Sequence, residues 1–218
     1  MRPLTLAVLL SPLLFSAPLA HAAQPGTCGT PEAIGAELKA EGQHSIAFAA
    51  APFYGGLHEA HPDGELMFTA DRDGGTGYIL EANQPPGAKA DKACIVSRID
   101  GVKLFDPKSA EFPKTAMMQG SDATAAAECE TMSRKTGQMQ DMQCGFFNTM
   151  VQPFIARGER VLMQGRASNQ VITVTMNILV KSISQGAIFY TMPSTGSTVA
   201  RNFKEAQQTE AGLQLARK

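Results

Sequence analysis

ELKAEGQHSIAFAA (Glu37–Ala50) and PFIARGERVLMQGRA (Pro153–Ala167) follow the same plan. With Gly42 laid on Gly158, Leu38 meets Phe154, Ala40 meets Ala156 and Ile46 meets Leu162. Each stretch is a helix end, stopped by a glycine just past the last turn and followed by an apolar strand. What comes next also matches in kind. In GELMFTADRDGGTGYILEANQPPG, the strand-like runs Leu66–Ala70 and Tyr78–Ala82 flank a turn-rich segment, and ACIVSRI and GVKLF follow. In VITVTMNILVKSI, Ile172, Val174, Met176, Ile178 and Val180 share one face, while Thr173, Thr175 and Lys181 point the other way. SQG then turns the chain, AIFYTM returns, STVARNF reads as a short last strand, and the tail from Lys204 reads as a terminal helix.

The expected fold class is therefore α+β, with two weakly repeated units. Each unit is a helix plus about three antiparallel strands, stabilised by disulfides. The units span residues 23–120 and 121–218, either side by side or packed as one domain. The second opens with a helical hairpin, because Ala, Glu, Met and Gln flank Thr136-Gly137 on both sides.

Residues 1–22 read as a secretory signal peptide. Arg2 precedes an apolar run from Leu4 to about Phe15, and Ala20-His21-Ala22 has the small-residue pattern of a cleavage site. Pro12 interrupts a run already too short to span a bilayer. Cleavage after Ala22 leaves a chain without a transmembrane segment. The protein is expected to be exported, to a periplasm rather than the extracellular medium. The whole chain carries 19 basic and 20 acidic side chains, interspersed without long blocks. That pattern offers no electrostatic footprint for nucleic acid.

The four cysteines, Cys28, Cys94, Cys129 and Cys144, favour two disulfides in an exported chain. No C-x-x-C pair supports a zinc site. One helix running from Cys129 to Cys144 would hold the sulfurs about 22 Å apart. A hairpin turning at Thr136-Gly137 brings them together. The expected pairs are Cys129–Cys144 and, by elimination, Cys28–Cys94.

The two repeats differ between their first and second strands. The first carries APFYGGLHEAHPDG, the second only about SNQ. Binding residues commonly sit on loops held by a rigid scaffold. Phe53, Tyr54, Leu57, His58, His61 and Asp63 are thus the candidate binding residues. His58, His61 and Asp63 also form a candidate metal set, although Pro62-Asp63-Gly64 is turn chemistry and the H-E-x-x-H spacing is absent. Asp71 to Gly77 begins like a calcium loop but lacks its fifth and twelfth ligands, so it reads as a hairpin turn. Met139, Met142, Phe146 and Met150 fall at helical spacing and read as core rather than a copper site. No nucleophile elbow and no phosphate-binding loop occurs. The sequence points to a non-catalytic binding or accessory protein for a protein or envelope component, with no cofactor. The alternative is a periplasmic metal binder or metal-dependent hydrolase using His58, His61 and Asp63.

Overall fold

The computed structural model describes residues 23–53, 63–106, 121–136, 142–168, 173–181, 185–192 and 194–216. In chain order these form β1 (Cys28–Gly29), α1 (Pro31–Ala40), β2 (His44–Ala50), β3 (Gly64–Ala70), β4 (Thr76–Asn83) and β5 (Ala93–Leu104). Then come α2 (Asp122–Thr136), β6 (Met142–Phe146), α3 (Phe147–Ala156), β7 (Arg160–Ser168), β8 (Thr173–Lys181), β9 (Gln185–Thr191), β10 (Ser197–Gln208) and α4 (Glu210–Ala216).

Among the described residues the ten strands form one antiparallel sheet, ordered β1-β5-β4-β3-β2-β10-β9-β8-β7 with β6 on β10. A further pairing of β5 with β7 closes the path β5-β4-β3-β2-β10-β9-β8-β7 into a ring. Closure removes the open edges that a sheet this wide would otherwise expose.

This overturns the expectation of two α+β units with about three strands each. The molecule is dominated by one sheet, with four short helices at its margins. Among the described residues, five strands rather than about three come from each half of the chain, four of them in the ring. ACIVSRI and GVKLF are one twelve-residue strand, β5, and STVARNF is the start of another, β10. Hydrogen bonds between the halves made the difference: β5 continues past β4 to pair with β7, and β10 continues past β9 to pair with β2.

The two long strands do the same work in each half. The first part of β5 pairs with β1, placing Cys94 opposite Cys28, and its second part places Leu104 opposite Met163 of β7. The first part of β10 pairs with β6, placing Val199 opposite Cys144, and its second part places Gln208 opposite Ala47 of β2. Aligned on Gly42 and Gly158, α1 and α3 start and stop at matching positions, Pro31 with Phe147 and Ala40 with Ala156. Both glycines adopt the left-handed backbone that ends a helix, at φ 76° and 79°. In α1, Thr30 caps the first turn by accepting from the Ala33 N–H, and Pro31 fits the position where no N–H is needed.

Ile46, Leu66, Phe68, Ile79, Ile99, Leu162, Ile188 and Phe203 meet in one cluster that fills the ring. Outside it, Ile34 and Leu38 of α1 cover Tyr78, Leu80 and Ile95. Phe147, Val151 and Phe154 of α3 cover Ala187, Phe189 and Ala200 at the matching places. Helix cover on one face and core on the other explains why GYIL and AIF are continuously apolar rather than alternating. Among the described side chains, Lys103, Arg160, Arg166, Asn202 and Lys204 are exposed on the strands. Among the described residues, no helix is long and apolar enough to cross a membrane.

Both disulfides form, Cys28–Cys94 and Cys129–Cys144. The element carrying Cys144 is not the second arm of a helical hairpin, however. Met142–Phe146 is a strand, and the helix starts only at Phe147. Met142 and Phe146 therefore lie on a strand and Met150 on a helix, not on one helical face, and Met139 lies outside the described residues. β10 extends beyond its partner β2 and offers a free row of backbone groups, which β6 satisfies. Cys129 lies on α2, which packs beside that pair; Glu128 there accepts from the hydroxyls of Thr195 and Ser197.

Candidate functional site

At one end of the ring the apolar filling gives way to charge. Glu81 of β4 and Arg201 of β10 are 4% and 5% exposed, and they form an ion pair. Their placement follows from strand alternation. Glu81 is two residues beyond inward-facing Ile79, and Arg201 two before inward-facing Phe203. The guanidinium also donates to the Pro52 carbonyl at 2.6 Å. Tyr190 of β9 and Ser97 of β5 complete the group, with their hydroxyls hydrogen-bonded to each other. The four positions come in matched pairs. Ser97 and Arg201 lie opposite Ile79 and Ile188, and Glu81 and Tyr190 stand two residues beyond those isoleucines.

Tyr190 keeps some exposed surface as a residue, but its hydroxyl is in the interior. Burial pushes the phenol above its usual range; Arg201 pulls it down and Glu81 pushes it up again. A phenol held protonated is a hydrogen-bond donor rather than a base. Among the described residues, the Ser97 hydroxyl is hydrogen-bonded to this phenol rather than to an imidazole. A guanidinium already paired to a carboxylate and tied to a backbone carbonyl suits holding a structure together.

What it holds is the root of the segment singled out in the sequence. Pro52 and Phe53 lead into that segment, and Asp63 leads out. The Ala51 N–H donates to the Gly64 carbonyl at 3.0 Å, and the Gln84 N–H to the Asp63 carbonyl at 3.4 Å. Gly64 is pinched. A Cβ there would sit 2.8 Å from Phe53 Cβ and 2.9 Å from the Ala51 carbonyl oxygen. Phe53 is 1% exposed and belongs to the root, whereas Asp63 is exposed. Tyr54, Leu57, His58 and His61 lie outside the described residues. Among the described residues, no group of three His, Cys, Asp or Glu side chains could hold a metal.

The Asp71 turn is a closed hairpin connection. Burial pushes the Asp71 carboxyl up, but the Thr76, Gly75 and Asp73 N–H groups and the Thr76 hydroxyl all donate to it and bring it below its usual range. Its oxygens are occupied by the turn's own donors.

Glu81, Arg201, Tyr190 and Ser97 belong to no motif in the sequence. The one signal available was a lone charge in an apolar strand run, in YILEA and in TVARNF.

Comparison with protein-family models, curated proteins and solved structures returns no match.

Two disulfides and no free cysteine among the described residues fit an oxidising environment.

Proposed function

We propose that this is an exported, non-catalytic binding protein, periplasmic rather than extracellular. It recognises a protein or envelope component through the segment that the barrel end holds between Phe53 and Asp63. The observation that carries this reading is Arg201. It reaches from β10 across the barrel mouth to the Pro52 carbonyl and is held there by Glu81. A segment rooted this firmly presents its side chains with little flexibility at its base, which lowers the ordering cost of binding. Phe53 belongs to the root and Asp63 to the exit; the recognising residues are Tyr54, Leu57, His58 and His61.

The test is a photo-crosslinking residue at position 57, expressed in the native envelope. A control carries it at exposed Lys204 on the barrel wall. A discrete adduct from position 57 and none from 204 supports the reading; equal labelling from both removes it. Keeping the photo-crosslinking residue at position 57 and replacing the rest of residues 54–62 by Gly and Ser should abolish the adduct and leave thermal unfolding nearly unchanged. Native mass spectrometry of the same samples separates the metal alternative. A bound metal lost in the His58→Ala/His61→Ala variant would favour it.

A further inference from the structure

We infer that the peptide bond between Ala22 and Ala23 is cut on export, and that the new α-ammonium group of Ala23 is received by the Glu41 carboxylate. This rests on the export reading above and extends it to one bond and one acceptor.

Ala23 is not placed as a loose end. Its side chain is 1% exposed and packs with Ile34, Leu38 and Tyr78. Its backbone nitrogen donates to Glu41 Oε1 at 2.5 Å, and the Tyr78 hydroxyl donates to Glu41 Oε2 at 2.7 Å. The residues that follow are laid along β5. The Gly26 N–H donates to the Ile95 carbonyl at 2.8 Å, the Ile95 N–H donates to the Thr27 carbonyl at 2.9 Å, and the Cys28–Cys94 disulfide locks the run.

Glu41 itself is in an unfavourable place for an anion. It is the residue capping the C-terminal end of α1, the negative end of the helix dipole. Among the described residues it has no ion-pair partner; Lys39 stands in the last turn of α1, and Arg98 and Asp100 of β5 act on the same Tyr78 hydroxyl. An amide at Ala23 offers Glu41 one donor and no charge. An ammonium offers three donors and a full positive charge, which offsets both the carboxylate and the helix end. The other half of the chain lacks this acceptor: Arg157 stands where Glu41 stands, and it pairs with Glu159 at 2.9 Å.

The step is a hydrolysis by an export-linked peptidase acting in trans. Water adds its hydroxyl to the Ala22 carbonyl carbon and its proton to the Ala23 nitrogen as the C–N bond breaks; the new carboxylic acid then gives its proton to the new amine, so Ala22 leaves as a carboxylate and Ala23 becomes an ammonium.

The experiment starts with the full chain expressed for export. N-terminal sequencing and intact mass of the exported protein should begin at Ala23; a start elsewhere overturns the inference while leaving export intact. A chain retaining residues 1–22 with reduced cysteines overturns the export reading as well. The chain beginning at Ala23 is then compared with one carrying Ala22 in front, in wild type and in Glu41→Gln. The extra residue should lower Tm in wild type, and Glu41→Gln should remove most of that difference. An equal penalty in both backgrounds overturns Glu41 as the acceptor. The α-amine should titrate above its ordinary range of about 7.7–8.0 in wild type and return toward it in Glu41→Gln. A folded-state pKa raised in this way stabilises at low pH and loses that contribution as pH rises through it. The Tm gap between wild type and Glu41→Gln should therefore shrink in alkali; a constant gap also overturns the inference.

Discussion

Glu205 occupies on β10 the place that Gly101 occupies on β5. Each lies in the bulge where the long strand changes partners, between Asp100 and Lys103 against β7 and between Lys204 and Gln207 against β2. Each has a left-handed backbone, φ 61° at Gly101 and 51° at Glu205. Glycine adopts this conformation freely, whereas an L side chain there costs about 1–2 kcal/mol. Glu205→Gly should therefore stabilise the protein by roughly 0.5–1 kcal/mol, after the extra flexibility glycine gives the unfolded chain. Gly101→Ala should destabilise it by about 1–2 kcal/mol. Urea unfolding of both variants checks the pair, and a loss of stability in Glu205→Gly would show that the glutamate side chain outweighs its backbone strain.

Val199 faces Cys144 across β10 and β6, just as Cys94 faces Cys28 across β5 and β1. Cysteine is missing at 199, and Cys144 bonds Cys129 on α2 instead. In the double variant Cys129→Ala/Val199→Cys, the thiol at 199 should close onto Cys144. Peptide mapping of the oxidised protein should find that bridge beside Cys28–Cys94. Two free thiols at 144 and 199 would mean the matching register does not carry matching side-chain directions.

The buried Glu81–Arg201 pair should be costly to break and cheap to replace. Arg201→Met leaves a buried carboxylate without its cation and releases the Pro52 carbonyl, a loss of about 3–5 kcal/mol. Adding Glu81→Leu should recover most of that loss, because removing both charges removes the desolvation cost. Denaturant midpoints of the single and double variants decide this. A double variant as weak as Arg201→Met alone would place the whole effect on the Pro52 tether.

Asp71 contributes to acid stability. Its folded-state pKa lies below the unfolded value, so its contribution is present above the ordinary carboxylate range and lost as pH falls through the folded value. Thermal unfolding of wild type should lose stability below about pH 4, and Asp71→Asn should lose less over the same interval. Parallel pH curves for the two proteins would remove Asp71 from the acid transition.

The local chemistry of the chain determined the helix stops at Gly42 and Gly158, the strand runs around Leu66, Tyr78 and Ile188, and the turn at Asp71. Each depends on backbone preference and side-chain period over a few residues. The same was true of the matching order of elements in the two halves. The tertiary structure alone decided how those strands close. Pairing β5 with β7 and β10 with β2 depends on which distant strand meets an unpaired edge, and nothing within either strand names its partner. It also turned Met142–Phe146, a helix by composition, into β6, because an exposed row of β10 backbone groups outweighs a weak helical preference. The barrel-end cluster stayed illegible for the same reason. Glu81 and Arg201 are 120 residues apart and meet only because ring closure puts β4 and β10 across one interior, where each charge is tolerable only in the presence of the other.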